Sequence, residues 1–323
     1  MDVKGLRALR WVFVPQPNYR SRFELSALVC MIEERSMRIL TNPLTWFMGR
    51  YRIRLLLRAA GRVREIVRYT MVQPRNRHHF HIVSTQRNAG NDIVRCLDSV
   101  DSQDYPSDRC RHLVIDDASD DDTPNLIAKW LVRHPGHSVE FIRRQSRRGG
   151  TSNTLDGIRR ADTDSIVIEL NGDDWLPDPG VLPFLNKVYQ DSRVWMTYNT
   201  QRESTGVIPF QLPPPREIRR NRSYRENEWA TSHLHSFRRP LFDHVPNKTM
   251  VDPETGEFWE SADDVALYLW MLELAGDHAL HIWRITCLYN FHSRTEYRLD
   301  REGQLDRQNR IRKGPKAEAL ESL

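Results

Sequence analysis

Ser165-Ile166-Val167-Ile168-Glu169-Leu170-Asn171-Gly172-Asp173-Asp174 runs from an apolar stretch straight into an acidic turn. A short apolar run bounded by turn residues is the signature of a strand buried on both faces. The same succession occurs twice upstream. Leu113–Ile115 runs into Asp116-Asp117-Ala118-Ser119-Asp120, and His81–Thr85 runs into Gln86-Arg87-Asn88. Helical spacing separates these runs: Ile93, Val94, Leu97 and Val100 share one face of an expected helix over Asn91–Asp101. Further helices are expected over Thr123–Arg133 and Thr151–Ala161, with a strand over Val139–Ile142 between them. Strands alternating with helices at this interval mean an α/β fold whose parallel sheet is built from βα units.

An open parallel sheet binds its ligands beyond the carboxyl ends of its strands. Three polar clusters fall there: Ser84 to Asn88, Asp116-Asp117, and Asn171 to Asp174. Any one of them alone reads as an Asx-turn or a helix cap. Three on one edge point to a ligand. Two are acidic doublets, whose charges repel unless a cation or a donor-rich ligand lies between them. A divalent metal carrying phosphates resolves the repulsion, and carboxylate and amide oxygens suit Mg²⁺ or Mn²⁺. Between these clusters lie Arg147, Arg148, Gly149, Gly150, Thr151 and Asn153. A glycine pair ahead of a helix lets backbone N–H groups approach a ligand at the positive helix end. The plainer reading is a flexible, arginine-bearing turn.

The chain has 323 residues, 39% hydrophobic and 28% charged. A mean hydropathy of −0.64 excludes a membrane bundle. The formal charge is +5, but it is unevenly placed. Residues 1–75 hold 15 basic and 5 acidic residues, whereas the rest hold 33 basic and 38 acidic. A basic extension is thus joined to a mildly acidic body. In the extension Ile53, Leu56, Leu57, Ala60, Val63 and Val67 recur at helical spacing among arginines, and Glu24–Leu40 reads as another helix. Such a segment either packs on the body or lies on an anionic membrane surface. Nucleic acid is not the expected partner, because no recognition motif or interleaved stacking aromatics occur there. Cys30, Cys96, Cys110 and Cys287 form no CxxC pair and read as reduced thiols of a cytoplasmic protein.

Beyond Trp175 the pattern loosens. Glu217–Glu228 reads as charged loop, Ser261–Ala275 as a strong helix and Ile282–Tyr289 as a strand. The tail after Arg298 is polar, either disordered or a short helix.

The order and spacing of these motifs over about residues 78–190, and more loosely to about 295, resemble family 2 glycosyltransferases of GT-A fold. The resemblance implies a Rossmann-like, mostly parallel sheet flanked by helices over 76–297, a helical extension over 1–75 and a tail over 298–323. It implies an inverting transferase that moves a sugar from a nucleotide-diphosphate sugar, UDP-sugar being favoured, to a hydroxyl of a glycan, lipid-linked or protein acceptor. Thr85, Arg87, Asn88, Asp116, Asp117, Arg148, Asn153, Asn171 and Asp174 would then face the donor, with Asp117 or its neighbour Asp116 at the base or ribose. Asp173 would be the last carboxylate of the DxD metal motif, with His292 as a further ligand of Mn²⁺ or Mg²⁺. Asn171 occupies the motif's first position and brings an amide oxygen without charge. Of the pair that opens the helix near 261, Asp264 would be the catalytic base and Asp263 its neighbour. Ser261-x-x-Asp264 also scans as a capping box, which would explain the carboxylate without catalysis.

The acceptor side would include His233 and His235, which share one side of an extended chain. Aromatic faces pack against sugar faces, so Trp175, Trp229 and Trp259, in expected loops, are candidate platforms, and Trp195, Trp270 and Trp283 read as core. Asn171 also keeps a second reading open: a non-catalytic GT-A-like protein that binds a sugar or nucleotide or scaffolds a complex.

Overall fold

In a computed structural model of the chain, residues 46–199, 201–208, 213–227, 231–260, 262–292 and 300–323 are described. The expected helix over Glu24–Leu40 lies outside them, as do Ser261 and Trp229. The contacts divide the chain into one unit over 1–64 and a second over 65–323. The described part of the first is helical and belongs to α1 (Trp46–Thr70). No helix of the described residues is long and apolar enough to cross a membrane.

The second unit is built on β1 (Phe80–Gln86), α2 (Asp92–Asp101), β2 (Cys110–Asp116), α3 (Thr123–Arg133), β3 (Val139–Arg143), α4 (Gly150–Arg159) and β4 (Ile166–Glu169). It continues through α5 (Val181–Val188), β5 (Met196–Asn199), β6 (Arg202–Glu203), α6 (Arg216–Asn221), β7 (Ser232–Arg238) and α7 (Arg239–Asp243). It ends with α8 (Asp263–Ala275), β8 (Ala279–Ile282), β9 (Leu288–Tyr289) and α9 (Arg301–Lys313). Seven strands form one sheet in the order β3-β2-β1-β4-β7-β5-β8. β1 pairs in parallel with both β2 and β4, so the chain reverses its direction of winding there. That reversal is a topological switch point, where a crevice opens at the carboxyl ends of the strands.

Alternate residues of each strand serve two cores. Ile82, Ile166 and Ile168 pack beneath α2 and α5 with Ile93, Leu97, Val181 and Leu185. Val83 and Val167 face the other side, where Leu155 and Ile158 of α4 meet Leu267 and Met271 of α8. Both faces are covered, which is why these strands are continuous apolar runs. Gly157 is needed for this contact: a Cβ there would come within 2.4 Å of Val83 Cγ1. α8 is apolar around its whole circumference because it is buried on nearly every side.

The sheet is mostly parallel, as expected, with β7 running antiparallel to β4 and β5. Two expectations are corrected. The segment expected to be loop over Glu217–Glu228 opens with helix α6, capped by Arg222 in the left-handed conformation. The strand expected over Ile282–Tyr289 is broken. β8 ends at Ile282, and β9 pairs with β6 in a separate ribbon. Of the two readings of the polar tail the helix is the one observed: it contains the 13-residue α9, capped by the Asp300 side chain, which accepts from the Gly303 N–H.

Candidate active site

The loops after β1, β2 and β4 are tied together at one sheet edge. The Asn88 N–H donates to Ser119 Oγ at 2.9 Å, and Asn88 Oδ1 accepts from the Asp120 N–H at 3.0 Å. The Arg87 guanidinium pairs with Asp120 at 3.0 Å. The Gly172 N–H donates to the Thr85 carbonyl. Gly172 has to be glycine, since a Cβ there would lie 2.5 Å from Gln86 Oε1.

The acidic doublets divide their work. Asp116 is fully buried and closes its own turn, accepting from the Ser119 N–H at 3.1 Å and from the Ser119 hydroxyl. Its carboxylate is spent on the fold and does not face a nucleotide. Asp117 instead crosses to the glycine loop, where its oxygens accept from the Arg148 N–H at 2.7 Å and the Gly149 N–H at 2.9 Å. Gly149 has φ +83°, a conformation that favours glycine. Asn153 is a second correction. It is buried, accepts from Arg144 Nε and donates to the Gly149 carbonyl, so it shapes the loop from behind.

In the second doublet, Asp174 is buried and accepts from the Asn290 N–H at 2.8 Å. Burial, then the neighbouring Asp173 charge, hold its carboxyl well above the usual range, against the pull of that N–H. Its other oxygen, Oδ2, has no partner. Asp173 and Asn171 are only half-buried. For a divalent cation the structure therefore offers hard oxygen donors at this edge rather than a finished cage. Among the described residues no group of three or more His, Cys, Asp or Glu side chains is arranged to hold a metal ion. His292 is exposed, with its ring edge-on to Phe291, and is not gathered with Asp173 into such a group. A cation here would draw its remaining ligands from the diphosphate of a donor.

Asp263 and Asp264 open α8, and the structure brings them to a crevice that they line with Thr151, Thr154, Glu169, Leu155, Met250 and Leu267. A Cβ on Gly150 would stand 3.9 Å from Asp263 Oδ2, so the start of α4 and the start of α8 meet. One short loop thus reaches from Asp117 through Arg148 and Gly149 to Asp263. Burial, then the Asp264 charge, push Asp263 up to about 6. Burial also raises Asp264, whose Oδ1 accepts from the Val265 N–H at 2.8 Å. Ala262, just ahead of the pair, has φ +64°, a region alanine rarely enters.

Glu169 joins the same crevice. It ends β4, and its Oε2 accepts from the Tyr268 hydroxyl. Burial pushes its carboxyl up to about 8, and Asp263 and Asp264 push the same way, against the Tyr268 hydrogen bond. No sequence pattern marks it, because one carboxyl in an apolar run reads as solvent-facing.

The expected acceptor residues fare differently. His233 and His235 do share a side of β7, their ring centroids 6.0 Å apart. His233 stacks on Tyr289 and feels the Asp173 charge, while burial lowers its proton affinity. His235 is fully buried and stacked on Tyr268 at 3.6 Å, so it cannot touch an acceptor. Trp259 is 4% exposed, donates its indole N–H to the Thr249 carbonyl and is covered by the Arg310 guanidinium. It is core, not a platform. Trp175 is half-buried, with Arg95 4.4 Å over one ring face. Trp195 and Trp270 are buried as expected, and Trp283 is half-buried.

A mostly parallel α/β sheet with acidic loops converging beyond its strand ends defines the GT-A class of protein. The glycosyl transferase family 2 model matches residues 82–245, about half the chain, and the chain belongs to that family. Among solved structures, the mannosyltransferase PcManGT from Pyrobaculum calidifontis, in complex with GDP-Man and Mn²⁺, superposes with TM-score 0.54 at 20% identity, covering 91% of this chain and 77% of that one. S. aureus TarS 1-349 in complex with UDP-GlcNAc gives TM-score 0.53 at 15% identity, covering 67% of this chain and 60% of that one. TarS 1-349 itself gives 0.51 at 15%, with coverages of 66% and 60%. The chain therefore spans about 60% of the length of TarS 1-349. A search of the curated proteins matched none of them.

Proposed function

We propose that the protein transfers a sugar from a nucleotide-diphosphate sugar, UDP-sugar in first place, to a hydroxyl acceptor with inversion. The observation that carries this reading is the meeting of α4 and α8. It puts the acidic pair Asp263/Asp264 in a crevice reached by the same loop that Asp117 holds. Asp117 offers carboxylate oxygens for base or ribose donors. Thr85, Arg87, Asn88 and Arg148 belong to the loops tied to its own and complete the donor side. Asp173 and Asn171 supply the hard donors for Mn²⁺ or Mg²⁺, which when bound neutralises charge on the departing diphosphate.

Asp264 is the base. A sugar hydroxyl is a poor nucleophile, and a carboxylate at its oxygen takes the proton as that oxygen bonds to the anomeric carbon. The bond from that carbon to the diphosphate breaks, and its electron pair leaves with the phosphate oxygen. With one base and no covalent intermediate, the displacement is direct and inverts the anomeric centre, through oxocarbenium character like that of glycoside hydrolysis. His233 and Trp175 serve the acceptor side. Residues 1–75 contact an anionic membrane surface near a lipid-linked or polymeric acceptor. The exposed Leu56, Val63 and Val67, on one face of α1, support that contact.

The test is a screen of UDP- and GDP-sugars with Mn²⁺, read by donor hydrolysis and by melting temperature. Hydrolysis of one donor together with a melting shift is expected. A shift without turnover of any donor would favour the non-catalytic reading. Neither effect with any nucleotide sugar would overturn the transferase reading.

A further inference from the structure

We propose that Glu169 and Tyr268 are positioning residues for transfer, forming a strut that fixes the catalytic start of α8 against the donor end of β4. The proposal rests on the transferase reading above.

The strut spans the two parts of the site. Glu169 is the last residue of β4, and the chain continues from it through Leu170 into Asn171–Asp174. Tyr268 lies four residues after Asp264, on the same face of α8. The hydroxyl of Tyr268 donates to Glu169 Oε2. One hydrogen bond therefore joins the strand that delivers Asp173 to the helix that delivers the base.

The phenol is held from other sides as well. Its ring lies flat on His235, centroids 3.6 Å apart and planes 13° from parallel, and meets Phe237 edge-on at 6.4 Å. Glu169 and His235 are direct partners in the β4–β7 pairing, so their side chains stand on one face of the sheet. Tyr268 sits over that rung. This gives His235, which cannot reach an acceptor, a place in the site's architecture.

Packing alone does not call for this arrangement. Glu169 follows Ile166, Val167 and Ile168, where a leucine would fill the space without desolvating a carboxyl. A hydrogen bond adds direction, whereas apolar packing lets a helix slide. Sliding matters here, because misplacing a reacting group by about 1 Å can lower a rate by about 100-fold.

The experiment compares full-length wild type with Tyr268→Phe, Glu169→Leu and Glu169→Gln. It measures kcat, acceptor KM, dissociation of UDP in the presence of Mn²⁺, and amide hydrogen exchange over 263–268. Tyr268→Phe keeps the ring stack and removes the bond. It is expected to lower kcat about tenfold or more, leave UDP dissociation within about twofold, and speed exchange in the first turn of α8. Glu169→Leu should act likewise, and Glu169→Gln, whose carbonyl still accepts from the phenol, should restore most of the lost rate. Unchanged exchange at 263–268 in Tyr268→Phe would overturn the strut whatever the activity. So would an unchanged kcat, or a rate loss matched by an equal loss of folded protein. Faster exchange in a wild-type background that turns over no donor would keep the strut and sink only the transferase reading.

Discussion

Asp174 accepts the backbone N–H of Asn290, 116 residues further along, at 2.8 Å, and so pins the segment after β9 to the loop after β4. Its neighbour Asp173 stays half-buried at the edge. Two adjacent aspartates therefore have different work. Asp174→Ala should cost about 1–3 kcal/mol of stability, since it strands a buried N–H. Asp173→Asn should leave the melting temperature nearly unchanged while lowering turnover about 100-fold and weakening the response to Mn²⁺. Chelation by EDTA should reproduce the Asp173→Asn loss in wild type and add little to the variant. Melting curves and a Mn²⁺ titration of turnover separate the two roles. Equal stability loss at both positions would refute the division.

Asp263 gives the enzyme a pH signature. Its carboxyl is raised to about 6 by burial and by Asp264, and Asp264 is raised as well. With Asp264 as the proposed base, its raised carboxyl should make kcat climb with pH above the usual carboxylate range and then level off. Stability runs the opposite way. A raised carboxyl binds its proton more tightly in the folded state, so the contribution of Asp263 is complete below its unfolded value and falls as pH rises toward 6. Asp263→Asn should therefore raise stability by about 1–2 kcal/mol at pH 8 and leave it unchanged near pH 3.5. Denaturant unfolding at the two pH values checks the sign.

Asp117 ties the loop after β2 to the glycine loop that opens α4 through the N–H groups of Arg148 and Gly149. Asp117→Ala should weaken UDP binding about tenfold or more, through the lost contact and the loosened loop, while acceptor KM stays within about twofold. Calorimetric titration with UDP and acceptor-dependent kinetics distinguish these effects. A rise in acceptor KM of the same size would move Asp117 out of the donor site.

The half of the fold legible in the sequence is built on strands whose apolar residues are buried. β1, β2 and β4 are buried runs ending in polar turns, β3 is a half-buried edge strand beside them, and their helices keep a clean apolar stripe. β7 gives no such signal. It carries His233, His235 and Arg238, and its antiparallel course is set by pairing with β4 and β5, strands distant in sequence. Asp117, Asp173 and the Asp263/Asp264 pair stand out because acidic residues follow an apolar run or open an apolar helix. Glu169 stayed hidden because its meaning depends on Tyr268, 99 residues away. Trp259 misled for the opposite reason. Its loop is polar in sequence, and the ring becomes core by packing into the cluster of Met250 and Val265 with Arg310 of α9 over it.

A buried ion pair joins the less buried pairs of Arg307 and Arg310 in fastening α9 and the tail. Glu273 is fully buried on α8, and its two oxygens accept from Arg225 Nε at 2.6 Å and Nη2 at 2.9 Å. The same carboxylate takes the Ala317 N–H at 3.0 Å, and Arg225 donates to the Ile311 carbonyl at 2.7 Å. Every bond of this carboxylate reaches a segment outside α8, so α8 is gripped from the side away from the crevice. Removing one partner strands a buried charge, which costs about 3–5 kcal/mol. Glu273→Met should lose that amount of stability, and Arg225→Met a similar one. The double variant Arg225→Met/Glu273→Met strands no charge, and should recover more than half of the summed loss. Denaturant unfolding of the four proteins completes the cycle. Strict additivity of the two single losses would show that the pair is not part of the fastening.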